Sequence, residues 1–364
     1  MVLIILKNIS VFIVIAIFLG LCPKAEALNP IDVSAQSCVL MYEDGQCIFE
    51  KNADEKRLIA STTKLMTAIV CIEEAELDDR VKIKPEHCNV EGSSMYLKAG
   101  ETYSVKELLL GLLLASGNDA ALALSDYVAG GNEKFTELMN KKAADLEMKD
   151  SCFANPHGLD ARNHYSTARD MAKLMLYCME NDTFRELNST YTVSIKNNQH
   201  VNHNKLLKIC KGCVGGKTGF TEAAGRCLVS CVERDGMRLV CVTFSAPNDW
   251  QDHIKLYDYA CENYHLADVL QDVEYFIPVV SGSKKYVRAV PEEKLKLLVN
   301  KKEKIELKAE IPYFIFSPVK MGETAGEICV IIKNNVVAKL PLVYAEDAVM
   351  AYPCLSSAIV EVSL

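Results

Sequence analysis

Ser61-Thr62-Thr63-Lys64 is followed by apolar residues at Leu65, Met66, Ile69, Val70 and Ile72. That spacing predicts a helix over Ser61–Glu76, with a serine at its start and a lysine three residues on. Residues i and i+3 share a helix face, so Lys64 can reach the Ser61 hydroxyl. A serine hydroxyl is a poor nucleophile until a base takes its proton. A helix N-terminus also favours negative charge that develops beside it. Alone, S-x-x-K is a weak signal, because it arises often by chance.

Two further motifs follow it in order. Ser116-Gly117-Asn118 sits between the apolar run Val105–Ala115 and a second helical stretch, Asp119–Val128. Lys217-Thr218-Gly219 comes after Gly215-Gly216 and before two strand-like runs, Leu228–Val232 and Leu239–Ser245. Taken singly, Ser116 reads as a helix start and Lys-Thr-Gly as a turn. Together they form the ordered signature of acyl-transferring serine enzymes. A lysine works as a base only if its pKa falls, and a second cation, Lys217, is the candidate cause. Ser116 would then relay a proton from Lys64 to the leaving amine. Asn118 would hold the Lys64 amine and a substrate amide. Lys217 and Thr218 would bind a terminal carboxylate. The N–H groups of Ser61 and Phe220 are the candidate oxyanion donors. Gly219 would let a substrate strand approach that edge closely.

Outward from these motifs, Val33–Glu50 reads as a hairpin turning at Asp44-Gly45. Further helices are expected over Glu133–Leu146, Thr167–Glu180 and Asp249–Tyr264. After Asp272 the texture becomes short β-rich runs: Tyr275–Val280, Lys284–Ala289, Ile305–Ala309, Glu327–Ile332 and Val336–Leu342. The expected organisation is residues 1–27 as a signal peptide, 28–272 as a catalytic domain, 273–344 as a small β domain and 345–364 as a tail.

With these segments in hand, the chain resembles the low-molecular-mass penicillin-binding proteins that are serine-type D-alanyl-D-alanine carboxypeptidases. Asn52-Ala53-Asp54-Glu55-Lys56-Arg57, Gly92-Ser93-Ser94-Met95, Leu97-Lys98-Ala99-Gly100, Asn155-Pro156-His157-Gly158-Leu159-Asp160 and Tyr165-Ser166-Thr167-Ala168-Arg169-Asp170 extend the likeness over roughly 28–344. The resemblance implies an α+β fold: a β-lactamase/transpeptidase-like catalytic domain, with an antiparallel sheet flanked by helices, and a small C-terminal all-β domain. It also implies that Ser61 cleaves the D-Ala-D-Ala bond of peptidoglycan stem peptides through an acyl-enzyme. Its partners would be those peptides and, as acylating inhibitors, β-lactams. No cofactor and no metal are expected. A class A β-lactamase is the rival enzyme, but its deacylating Glu in an E-x-x-L-N pattern would fall at Phe184, before Leu187-Asn188. A non-catalytic wall-binding protein is the rival of another kind.

The remaining features bound these readings. The 364 residues are 50% hydrophobic and 24% charged, which excludes a largely disordered chain. A net charge of −8 lacks the basic footprint of a nucleic-acid binder. Lys7, the uncharged run Ile9–Leu21 and Ala25-Glu26-Ala27 read as a secretory signal cleaved before Leu28, so export to the cell envelope is expected. The 15 cysteines sit mostly in apolar patterns, such as Cys71, Cys178, Cys231 and Cys241, and free thiols are expected. Cys210-Lys211-Gly212-Cys213 lacks a second ligand pair for zinc. His157 reads as a turn residue, His203 as a loop residue shaping the pocket and Trp250 as helix packing. The tail after Tyr344 carries Glu346, Asp347 and Glu361 but no Lys or Arg. This argues against a basic amphipathic anchor, and peripheral membrane contact stays an open expectation.

Overall fold

The structure is a computed structural model that describes residues 31–351. The expected signal segment, and Ala358-Ile359-Val360 in the tail, lie outside the described residues. Two compact units divide at Glu262/Asn263.

The first unit is built on a five-stranded antiparallel sheet. Its hairpin, β1 (Ser37–Tyr42) and β2 (Cys47–Lys51), leads into a 3₁₀ turn at Ala60–Thr63 and then α1 (Lys64–Glu74). A short pair, β3 (Arg80–Lys82) and β4 (Thr102–Ser104), precedes α2 (Val105–Leu114), α3 (Asn118–Ala129) and α4 (Asn132–Asp145). Next come α5 (Ala168–Glu180), α6 (Asp182–Ser189), the hairpin β5 (Thr192–Ile195) and β6 (Asn198–Val201), and α7 (Leu206–Ile209). The chain then returns to the sheet as β7 (Cys213–Thr221), β8 (Gly225–Arg234) and β9 (Met237–Phe244), and ends in α8 (Asp249–Asn263). The sheet order is β2-β1-β9-β8-β7, so the strand bearing Lys217-Thr218-Gly219 is at an edge.

The central strands are apolar on both faces because helices cover both. Cys227, Val229, Cys231, Val240 and Val242 join one core with α1, α2 and α5. The alternate residue Ser230 faces the other way, where it bonds Nδ1 of His253 at 2.7 Å and the Tyr257 hydroxyl at 2.7 Å, both from α8. Ser104 and Glu107 form a reciprocal cap on α2, and Thr167 caps α5. Every described cysteine is a free thiol.

Two expectations change. The predicted helix starting at Ser61 begins instead with a tight 3₁₀ turn, and the α-helix starts at Lys64. The Thr62 and Thr63 hydroxyls bond back to the Ile59 and Ala60 carbonyls three residues earlier, which holds the tighter pitch. The division between units falls at Glu262/Asn263 rather than Asp272, because β10 (Tyr264–Asp268) pairs with a strand of the second unit.

That strand is β13 (Lys296–Asn300), which follows β11 (Tyr275–Val280) and β12 (Tyr286–Pro291). β14 (Ile305–Glu310), β15 (Ile315–Phe316), β16 (Thr324–Ile332) and β17 (Asn335–Tyr344) complete the unit. Its main sheet runs β14-β16-β17-β12-β11-β15. One face buries Ile277, Val287, Ala289, Ile328, Val330 and Leu342.

Candidate active site

The 3₁₀ turn packs directly on β7. A Cβ at Gly219 would lie 3.0 Å from Ser61 N and 3.1 Å from Ile59 O. A side chain at Gly219 would therefore crowd the turn that carries Ser61. On the other side Gly158, at φ +91°, approaches so closely that a Cβ there would lie 2.1 Å from Ala60 O. Ala60 itself holds a φ of 45°, a strained state for an alanine.

Lys64 is fully buried, and its amine has three polar neighbours. Ser61 Oγ is 2.9 Å away, Asn118 Oδ1 2.7 Å and the His157 carbonyl 2.5 Å. Burial first, and the Lys217 charge second, hold Lys64 well below the ordinary lysine value, against an opposing pull from Asp119. The sequence pointed to Lys217 as the cause, but desolvation is the larger one. An uncharged amine has two N–H groups and one lone pair. Asn118 Oδ1 and the His157 carbonyl can only accept, so they take both N–H groups. The lone pair is left facing the Ser61 hydroxyl.

Asn118 is fixed in turn. Its Nδ2 donates to Glu91 O at 2.5 Å, and its backbone N–H to Ser93 O at 2.8 Å. The buried Asp119 carboxylate accepts from Ser94 Oγ and from the N–H groups of Met95 and Leu97, tying the 91–97 loop beside Asn118. The His157 carbonyl is held by its own turn, in which Gly158 N donates to Asn155 Oδ1 and Thr67 Oγ1 to Pro156 O. The sequence reading of His157 as a turn residue did not reveal the role of its carbonyl. The ring is held to about 4 by burial, with the nearby charges of Lys64 and His164 acting in the same sense.

Lys217 is buried on β7, and burial brings it down to about 7. Its Nζ donates to Thr218 O at 2.9 Å. His203 is lowered by burial and then by the Lys217 charge, and its backbone N–H donates to Leu114 O at 3.1 Å. Asn188 clasps the back of β7, accepting from Gly216 N at 2.6 Å and donating to Gly216 O at 3.2 Å. Phe184, where the class A β-lactamase pattern would carry its Glu, is fully buried. Ser116 is buried in a loop at φ +59°, and its hydroxyl is not among the three partners of Lys64. The Phe220 side chain is 65% exposed on the strand. Among the described residues, no cluster of three His, Cys, Asp or Glu is arranged to hold a metal.

Comparison with known proteins fits this arrangement. A family model described as D-alanyl-D-alanine carboxypeptidase matches residues 24–248, and one described as the C-terminal domain of penicillin-binding protein 5 matches 269–349. The chain is 31% identical to the D-alanyl-D-alanine carboxypeptidase DacF of Bacillus subtilis over 86% of its length and 85% of the relative's. It is 32% identical to DacC of Escherichia coli, another D-alanyl-D-alanine carboxypeptidase, over 86% and 84%. Among solved structures, penicillin-binding protein 6B of Escherichia coli superposes with a TM-score of 0.72 at 29% identity, covering 86% of this chain and 96% of that one. Penicillin-binding protein 5 of Haemophilus influenzae gives 0.71 at 26%, covering 89% and 100%. The chain belongs to the D-alanyl-D-alanine carboxypeptidase family.

Proposed function

We propose that this protein removes the terminal D-alanine from D-Ala-D-Ala stem peptides of peptidoglycan, limiting cross-linking of the cell wall. Ser61 Oγ attacks the carbonyl of the penultimate D-alanine while its proton passes to Lys64. The N–H groups of Ser61 and Phe220 stabilise the oxyanion. As the tetrahedral species collapses, the C–N bond breaks. The amine of the departing D-alanine takes a proton from Lys64 through Ser116, which must turn its hydroxyl toward the amine to do so. Water then hydrolyses the Ser61 ester, again with Lys64 as base. Lys217 and Thr218 bind the terminal carboxylate, and Asn118 also holds a substrate amide. β-Lactams enter the same sequence and leave an acyl group on Ser61.

One observation carries this reading: a buried lysine amine, held well below its ordinary value by burial, lies 2.9 Å from Ser61 Oγ with Asn118 Oδ1 and the His157 carbonyl as its other partners. The N-terminal segment supports export to the cell envelope, with the protein outside the cytoplasm, either secreted or peripheral on the outer face of the plasma membrane. The test is intact-mass spectrometry after benzylpenicillin, with peptide mapping, alongside D-alanine release from diacetyl-Lys-D-Ala-D-Ala. A single adduct on Ser61 and free D-alanine are expected. An adduct elsewhere, or no release by folded protein, would refute it.

A further inference from the structure

The peptide bond joining Ala60 to Ser61 is held at its carbonyl end. Its carbonyl accepts from the Thr63 hydroxyl at 2.8 Å. That hydroxyl also lies 2.7 Å from Nε2 of His164. The other ring nitrogen, Nδ1, accepts the N–H of Ala154 at 3.0 Å. An accepting Nδ1 has no proton, so the neutral ring carries its proton on Nε2 and donates it to Thr63. The threonine oxygen is thereby used as an acceptor, and its own proton is directed to the Ala60 carbonyl. Thr63, His164 and Ala60 are all almost free of solvent. The ring is further seated edge-on against Phe153 at 6.0 Å between centroids.

A trans peptide is planar, with its C=O and N–H pointing in opposite directions. Fixing the Ala60 carbonyl therefore aims the Ser61 N–H. Gly158 leaves the room for the carbonyl, and Gly219 leaves room beside the nitrogen. The positive φ of Ala60 makes this peptide's orientation one that the backbone alone would not choose.

We propose that His164 is a positioning residue, acting through Thr63 to orient the Ala60–Ser61 peptide so that the Ser61 N–H faces the developing oxyanion. This rests on the reading of Ser61 as nucleophile and of its N–H as an oxyanion donor. His164 touches no reacting atom. Its contribution is realised in the transition state, so it is read in kcat and acylation and leaves KM unchanged.

The experiment compares Thr63→Val, Thr63→Ser and His164→Gln with the full chain. It measures benzylpenicillin acylation, steady-state release of D-alanine and thermal melting. Removing one oxyanion donor outright costs about 10²–10³-fold in rate, so misaiming one should cost about 10–100-fold. Thr63→Val is expected to lose that much in acylation and kcat at unchanged KM. Thr63→Ser keeps the hydroxyl and should recover to within about threefold. His164→Gln should fall between them. Wild-type acylation rates in both Thr63→Val and His164→Gln would overturn the proposal. So would equal losses in the valine and serine variants, since that pattern tracks packing and not the hydroxyl. Failure of the underlying reading is distinguishable, because the wild-type adduct would then not map to Ser61.

Discussion

The two units handle buried polarity in opposite ways. In the first, Lys64, Asp119, Lys217, Asp249 and Asp252 are all nearly free of solvent. In the second, the buried polar side chains among the described residues are Asn300 and Ser317, and neither is charged. The second unit keeps one sheet face apolar and sets ion pairs outside, such as Lys308–Glu310 and Lys333–Glu303. Burying an ammonium group is expensive unless it is neutralised or paired. The first unit accepts that cost at Lys64 and Lys217, and Ala60, next to Ser61, and Ser116, two residues before Asn118, both hold positive φ. The contrast teaches that stability and chemistry are separated along this chain.

The largest effect that would sharpen this contrast is at Lys64. Lys64→Met removes the base but keeps an apolar chain of similar length. Benzylpenicillin acylation should fall by about 10²–10⁴-fold. The melting temperature should change little, because relief of the buried amine's desolvation is offset by the donors lost to Asn118 Oδ1 and the His157 carbonyl. A large loss of stability would break the comparison. Gly219→Ala comes next. Its Cβ would press on Ser61 N and Ile59 O, displacing the nucleophile, and acylation should drop by about 10–100-fold.

A pH series gives a smaller effect. Burial depresses Lys217 to about 7. As pH rises through that value the ammonium loses its proton, and attraction for the substrate carboxylate is lost. KM for diacetyl-Lys-D-Ala-D-Ala should climb by up to about tenfold per pH unit above it. The unfolded chain binds the proton up to the ordinary lysine value while the folded chain does not. Stability from this group therefore rises with pH between about 7 and 10.5. A KM flat across neutrality would remove Lys217 from carboxylate binding. The smallest effect on activity belongs to the second unit. Val287→Ala empties a fully buried position and should cost about 2 kcal/mol by denaturant titration, with D-alanine release unchanged.

Much of this was legible in the residues. The apolar spacing after Ser61 marked α1, and Ser116-Gly117, read as the break between two helices, does lie between α2 and α3. Local pattern failed where distant contacts decide. Tyr264–Asp268 continues the texture of α8, yet pairing with β13 makes it a strand and moves the boundary between units. Asn188, Asn202 and Asn204 carry no periodic signal. Their roles emerge only when Asn188 meets Gly216 and Asn202 meets Thr190 O. The His157 carbonyl is backbone, so no residue type could announce it. The three signature motifs were readable because each places a chemically distinct side chain on a different element, and the fold gathers those elements at one edge of one sheet.

The central claim is that Lys64 is an uncharged amine in the resting protein. Carbon-13 labelling of lysine, with the Lys64 Cε resonance assigned by loss in Lys64→Met, reads its protonation directly across a pH titration. The expected result is an amine shift at neutral pH and a titration midpoint well below 10.5. A resonance that keeps its ammonium shift up to about 10.5 would contradict the account.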